Sequence, residues 1–195
     1  TKTMKICESV TGKETIVIDV PYEADDYSVK YLTRQLEEFT HRLEEITGKK
    51  MNPAAFERAI EYSNKTREKM LEVNELRKDP YCPLPGSNAL GFMFPGFLLI
   101  GSPLSAEFFS ALAAELREKI AKNKENADKA YLKDQIRILW LELKPYFKVD
   151  FLTKLEEEQG VKIVFEETNY VYWDKLDPRK PYESLARKLI TSHYN

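Results

Sequence analysis

From Ser28 to Thr47 the apolar positions Val29, Leu32, Leu36, Phe39, Leu43 and Ile46 recur at alternating steps of three and four. That spacing puts them on one face of a helix, and Gly48 stands where a left-handed residue ends one. Asn52 and Pro53 supply a cap and first residue for a second long helix to about Leu76, with Phe56, Ile60, Met70 and Val73 on its inner face. Two long helices joined by a short turn predict an antiparallel hairpin, a scaffold more often than an active site. Ahead of them, residues 1 to 13 read as the last turns of a helix, with Met4, Ile6, Cys7 and Val10 available for burial and Thr11 and Gly12 ending it. Glu14 to Val20 reads as a strand through Ile16, Val17 and Ile18, stopped by Pro21, which has no N–H for a ladder.

The pattern changes between Arg137 and Trp173. Ile138 to Leu143 is an apolar run without helical spacing, which predicts a strand buried on both faces of a parallel sheet. Asp150 is placed to cap a helix with Phe151, Leu152 and Leu155 inward, Glu156 to Glu158 outward and Gly160 at its end. Val161 to Phe165 then returns as a second strand. The stretch Lys144 to Gly160 exceeds the dozen or so residues a parallel crossover needs, so the segment predicts a βαβ unit, with right-handed crossover as the default. Further on, Tyr170 to Trp173, a turn at Asp177 and Pro178, and a helix from about Pro181 to Ile190 complete the pattern.

Between the two halves, Lys78 to Gly101 carries Pro80, Pro83, Pro85, Gly86, Gly91, Pro95 and Gly96, and reads as a linker. Its apolar content, Leu90, Phe92, Met93, Phe94 and Phe97 to Ile100, must be buried, cover a ligand or form a subunit interface. Ser105 is the expected cap of the next helix, with Phe109, Leu112, Leu116 and Ile120 inward; it ends in the mixed-charge run KNKENAD. The expected organisation is therefore α/β: residues 1–84 as one α/β part with the helical hairpin, 85–101 as linker and 102–195 as the start of a second, both of parallel-sheet type.

Composition narrows the function classes. The 195 residues carry 30 Lys and Arg against 32 Asp and Glu, a net charge of −2, so no basic field argues for nucleic acid or an anionic membrane surface. Hydrophobic residues make up 43 %, enough for a core, and no apolar run reaches the length of a membrane span. The start, TKTMK, has no signal-like apolar region. Cys7 and Cys82 form neither a CxxC pair nor a disulfide framework, which fits a reducing cytoplasm. His41, on the polar side of its helix, and His193 stand far apart and, with the cysteines, show no metal-ligand spacing.

Open α/β sheets bind ligands beyond the carboxyl ends of their strands. Those ends place Asp19 and Tyr22, after the first predicted strand, and Glu166, Asn169 and Tyr170, after the last, as substrate-binding candidates. The alternative is that Asp19 caps backbone N–H groups, Tyr22 packs, and Glu166, Glu167 and Asn169 solvate and cap a loop. No GxGxxG or GxxxxGK[ST] follows a strand, and no nucleophile elbow accompanies either histidine. Nucleotide cradling and Ser/His/Asp catalysis both lack their motifs.

The stretches RILWLELKPYF, LEEEQGVKIVFEETNYVYW and LDPRKPYESLARKLI, with the earlier IVIDVPY and PGSNALGFM, together resemble the 2-hydroxyacyl-CoA dehydratase and benzoyl-CoA reductase family, and within it the D-component subunits. The resemblance implies two Rossmann-like α/β domains, a related partner subunit, an ATP-dependent activator protein and a CoA-thioester substrate. It also implies a [4Fe-4S] cluster held by three cysteines, used in radical dehydration of a 2-hydroxyacyl-CoA to an enoyl-CoA. The family's cluster cysteines come from segments before IVIDVPY and after the last helix here, and neither Cys7 nor Cys82 matches them, so this chain is expected to hold no cluster. On that basis it reads as the central portion of a dehydratase-like subunit, inactive alone. A benzoyl-CoA reductase-like portion, or a cluster-free interaction module keeping the subunit's dimer surface, are the alternatives.

Overall fold

The computed structural model describes residues 2–92, 94–126, 136–148 and 150–191. Met93, His193 and the last two residues of KNKENAD therefore lie outside the described residues. The elements are α1 (Lys2–Thr11), α2 (Asp26–Thr47), α3 (Pro53–Leu76), α4 (Gly86–Ala89), α5 (Pro103–Glu125), β1 (Ile136–Trp140), α6 (Phe151–Glu158), β2 (Val161–Glu166) and α7 (Pro181–Ile190). It is a helix-rich α/β chain with a small sheet, in which β1 and β2 pair in parallel. Two compact units form: Thr1–Phe56 with Tyr172–Asn195, and Glu57–Val171.

In the first unit α2 is the axis. Asp25 caps it by accepting from Ser28 N at 2.7 Å, and Gly48, at φ 67°, ends it by donating to Glu44 O. Its stripe of Val29, Leu32 and Leu36 is buried by Ala186 and Ile190 of α7, with Ile18, Val20, Tyr182, Leu185 and Leu189 packed around. The side chains that bury this stripe within the unit come from α7, at the far end of the chain. α1 buries none of its side chains among the described residues, contrary to the expectation for Met4, Ile6, Cys7 and Val10.

The expected strand Glu14–Val20 does not form: among the described residues this stretch pairs with no strand. The carboxamide of Gln35 takes the ladder's place at one residue: Asp19 N donates to its Oε1 at 2.8 Å, and its Nε2 donates to Asp19 O at 2.8 Å. A side chain on α2 thus satisfies the backbone groups that a neighbouring strand would otherwise meet.

In the second unit the βαβ segment forms as expected, with a register shift between Ile138 and Leu139. Ile163 is fully buried in a cluster with Leu90 and Leu152, against which Ile138 and Trp140 pack. Ile138 to Leu143, however, is not a strand buried on both faces. β1 ends at Trp140, and Leu139, Leu141 and Leu143 are 56, 62 and 51 % exposed. The physical reason is that the run leaves the sheet after Trp140, so Leu141 and Leu143 belong to no strand, and Leu139 stays largely open to solvent.

Residues 85–101 are folded onto this unit rather than strung out: Gly86, Ala89, Leu90 and Gly96 are buried, while Phe94, Phe97, Leu98 and Leu99 stay exposed. The cap of α5 is Ser102, not Ser105. With Pro103 as first helical residue, Ser105 lies inside the first turn, buried, its hydroxyl donating to Pro95 O at 2.7 Å. The other end of α5 is tied back by Lys124 to Asp79 at 2.5 Å and by Asn123 Nδ2 donating to Tyr81 O at 2.9 Å.

Candidate functional site

The carboxyl end of β2 gathers the strongest polar network of the second unit. Arg77, one residue past α3, sends Nη1 to Glu166 Oε2 and Nη2 to Glu166 Oε1, each at 2.5 Å, and Nη2 also donates to Ile163 O at 3.3 Å. Side-chain exposure is 2 % for Arg77 and 0 % for Glu166, so the pair stands in a low-dielectric interior where its geometry has to compensate desolvation. Asn169 adds Nδ2, donating to Glu166 Oε2 at 2.9 Å and to Ala89 O at 2.8 Å, and Asn74 Nδ2 donates to Asn169 O at 3.0 Å. The network ties the ends of β2, α3 and α4 together. Its carboxylate is held as an acceptor of fixed hydrogen bonds.

Glu167, on the next residue, turns the other way. Its Oε2 accepts from Glu142 N at 3.1 Å, where the chain leaves β1 with Glu142 at φ 64°, a left-handed conformation uncommon outside glycine. Both strand ends are thus closed by two successive carboxylates, Glu166 and Glu167.

Tyr170 is 48 % exposed and lines a groove of about 350 Å³ with Leu71, Asn74, Glu75, Lys78, Arg137, Val164, Phe165 and Val171. The Tyr170 and Phe165 rings meet edge to face at 6.4 Å. The floor is apolar and the rim charged: Lys78 pairs with Glu75 at 2.6 Å, and Arg137 Nη2 donates to Lys78 O at 2.9 Å. Such a groove can take a ligand with an apolar part and a charged group.

In the same unit Glu156 was expected on the outer face of its helix. It points inward, accepting from Gly86 N at 2.8 Å, Ser87 N at 2.9 Å and Ile163 N at 3.2 Å. Gly86 lets β2 come this close: a Cβ there would stand 2.2 Å from Ile163 Cβ. Lys162 donates from Nζ to Cys82 O, and burial holds its amine below the ordinary lysine range.

Asp19 and Tyr22 belong to the first unit. Asp19 Oδ2 accepts from Tyr31 Oη at 3.2 Å, and that carboxylate, by hydrogen bond and by charge, raises the Tyr31 phenol. Tyr22 is 89 % exposed. Of the five candidates, then, Glu166 and Asn169 are in direct contact, Tyr170 follows them on a groove wall, Asp19 is bonded to Tyr31 and Gln35 of α2, and Tyr22 is exposed in the segment before α2. Arg77 escaped the sequence reading. The one available signal was a cation directly after the apolar face of α3, and its partner lies 89 residues on.

Among the described residues no group of three or more His, Cys, Asp and Glu side chains could hold a metal ion. His41 is a surface residue beside Glu44, 3.5 Å away. Cys7 is exposed and Cys82 buried, each a free thiol. No helix of the described residues is long and apolar enough to cross a membrane.

Comparison with known proteins gives the context of this geometry. The family model described as 2-hydroxyglutaryl-CoA dehydratase, D-component, matches residues 1–195. The chain is similar to the alpha subunit of (R)-2-hydroxyglutaryl-CoA dehydratase of Acidaminococcus fermentans, 32 % identical over 152 residues, covering 76 % of this chain and 31 % of that protein. It is also similar to the (R)-phenyllactyl-CoA dehydratase alpha subunit of Clostridium sporogenes, 27 % identical over 169 residues, covering 83 % of this chain and 41 % of that protein. The matched region thus spans 31 % and 41 % of the length of these two curated relatives.

Proposed function

Because the chain belongs to the 2-hydroxyglutaryl-CoA dehydratase D-component family, we propose that it forms the central part of a subunit that dehydrates a 2-hydroxyacyl-CoA to an enoyl-CoA. The observation that carries this reading is the match along all 195 residues, joined by two relatives whose names are those of dehydratase alpha subunits acting on CoA thioesters. In this reading a related subunit pairs with the chain, an ATP-dependent activator supplies an electron, and a [4Fe-4S] cluster supplies the radical chemistry.

The described residues do not fit that cluster. Three thiolates are required, the whole sequence has two cysteines, and one of these is buried in the core of its unit. The ligands are accordingly assigned to other segments of the subunit, and the radical chemistry goes with them. The part left to this chain is architectural: the closed end of β2, with Arg77, Glu166 and Asn169, supports the groove beside Tyr170, which suits the long, partly apolar body of a CoA thioester. The five candidates Asp19, Tyr22, Glu166, Asn169 and Tyr170 remain assigned to substrate binding, Glu166 and Asn169 as supports.

Two Rossmann-like domains are part of the same proposal, divided about residues 85–101. Support comes from β1, which has one strand neighbour among the described residues and exposes Leu139, with Leu141 and Leu143 exposed just past its end. A parallel pair is smaller than the usual sheet of about four to six strands, and such sheets are covered on both faces.

The test compares this chain with a form carrying the complete reading frame, each purified without oxygen, reconstituted with iron and sulfide, and assayed with activator, partner subunit and a 2-hydroxyacyl-CoA. Iron and dehydration in the long form alone support the proposal. A long form with neither overturns it, and stoichiometric cluster in the short chain overturns the assignment of the ligands.

A further inference from the structure

Lys188, near the end of α7, lays its ammonium 4.1 Å from the centroid of the Trp173 ring. An aromatic face is a weak substitute for water or a carboxylate as partner of a cation. Glu183 is engaged by Arg187 at 3.0 Å and Lys180 at 3.5 Å, Asp177 by Arg179 at 3.3 Å and Asp26 of α2 by Arg187 at 3.5 Å, while Asp174, at the same cavity as Lys188, is exposed. Among the described residues Lys188 makes no ion pair. The amine borders a cavity of about 100 Å³ that it shares with Trp173 and Ser184, and the charged groups at that cavity are Asp174, Lys175 and Arg187. Burial, with nothing opposing it, lowers this amine to about 8.

Few lysines combine those features. A solvated lysine is kept protonated by water and by nearby carboxylates, and its lone pair is unavailable at neutral pH. Lys162, also desolvated, differs because its ammonium is spent on Cys82 O. A lysine desolvated against an aromatic ring, and making no ion pair among the described residues, has the environment that makes an amine a nucleophile.

We propose that Lys188 is an acyl-acceptor site: its amine, held against Trp173 beside a small cavity, takes a short acyl group from an acyl thioester. The neutral nitrogen adds to the thioester carbonyl carbon. The C–S bond then breaks, the amide C–N bond remains, and the thiolate leaves with the proton released by nitrogen. No oxidant or reductant is involved. The product is a neutral amide, which removes the desolvated charge from beside Trp173. The cavity limits the acyl group to a few carbons. The choice of a thioester as donor rests on the dehydratase reading, whereas the reactivity of the amine does not.

The experiment uses the folded chain with acetyl-CoA and, in parallel, p-nitrophenyl acetate as an acyl donor without a thioester. Site occupancy is followed by peptide mass spectrometry from pH 6.5 to 9.5. At pH 7.5 an amine at about 8 carries far more neutral nitrogen than an ordinary lysine near 10.4, offset in part by its weaker basicity, so Lys188 is expected to acetylate roughly tenfold faster than exposed Lys13. Its rate should level off above pH 8. Trp173→Leu, checked for folding by circular dichroism, should bring the rate toward that of Lys13, and Trp173→Phe should largely retain it. Equal rates at Lys188 and Lys13 with both donors overturn the proposal. Labelling by p-nitrophenyl acetate alone overturns the thioester as donor. Neither result bears on the cluster or on dehydration, which this assay does not contain.

Discussion

Arg77 and Glu166, separated by 89 residues of chain, close a two-pronged ion pair at 2.5 Å in the interior of the second unit. The pair fixes where α3 stops against β2, because Arg77 Nη2 also donates to Ile163 O at 3.3 Å. Removing one member leaves the other charged and buried. Glu166→Leu or Arg77→Met alone should therefore cost about 3 to 5 kcal/mol, whereas the double replacement should recover most of the loss. Urea denaturation of the four proteins gives the coupling directly. Additive losses would show that the two side chains are not one unit.

Gly86 is a packing requirement of a different kind. A Cβ there would meet Ile163 Cβ at 2.2 Å and Ile163 O at 2.8 Å, and the backbone oxygen cannot rotate away. Gly86→Ala should lose upward of about 3 kcal/mol or fail to accumulate as folded protein. Gly91, which has nothing within 4 Å of a built Cβ, is the control, and Gly91→Ala should change the urea midpoint little. Equal effects at the two positions would mean that α4 does not press on β2.

Local rules carried well wherever the determinants were local. The first steps of the α2 stripe, Val29, Leu32 and Leu36, its Gly48, and the Pro181 start of α7 sit where the spacing puts them, whereas Leu43 and Ile46 farther along α2 are exposed. The βαβ unit was legible because a strand-length run, a capable helix and Gly160 at φ 65° follow one another within a single segment. Failures came where distant chain decides. Residues 14–20 have strand composition, but Gln35 satisfies Asp19 from a helix. Ser105 has cap chemistry, yet Ser102 precedes a proline that fixes the first turn. The run Ile138 to Leu143 has the apolar content of a covered strand, and a sequence cannot tell which neighbours will cover it. For the site, periodicity located the carboxyl end of β2 but could not show that Glu166 faces Arg77 or that Glu156 turns toward Gly86.

Glu44 holds the end of α2. Lys50 Nζ lies 2.9 Å from Oε2, Met51 N donates to Oε1 at 2.9 Å, and His41 Nδ1 lies 3.5 Å from Oε2. The Lys50 contact first, then the Met51 amide, hold the carboxyl at about 2, against an ordinary 4.5. The native value lies below the unfolded one, so the contribution is present above about pH 4.5 and is lost as pH falls through about 2. Glu44→Gln should thus unfold at lower urea than the parent at pH 6, and the two should converge near pH 2. A difference that persists at pH 2 would assign the effect to packing instead of charge.

At Lys188 stability again rises with pH, but from the opposite cause, because here the fold disfavours the charged form. Its native value, about 8, lies below the ordinary 10.5, so between those limits the unfolded chain binds more protons than the folded one. Stability of the parent then rises with pH across that window, and below pH 8 the full cost of burying the ammonium is present. Lys188→Met keeps the length of the side chain, removes the charge and sets a thioether against the Trp173 ring. The variant should be more stable than the parent by about 1 to 3 kcal/mol at pH 7, the cation–π contact returning part of the desolvation cost to the parent. By pH 10.5 the advantage should have largely disappeared, since the parent's amine is then neutral in the folded state and mostly neutral in the unfolded one. Other groups titrating in this range act on both proteins alike and cancel in the difference. Urea midpoints of the pair at pH 7, 8.5 and 10.5 read the effect, and a difference independent of pH would place the Lys188 ammonium in water rather than against Trp173.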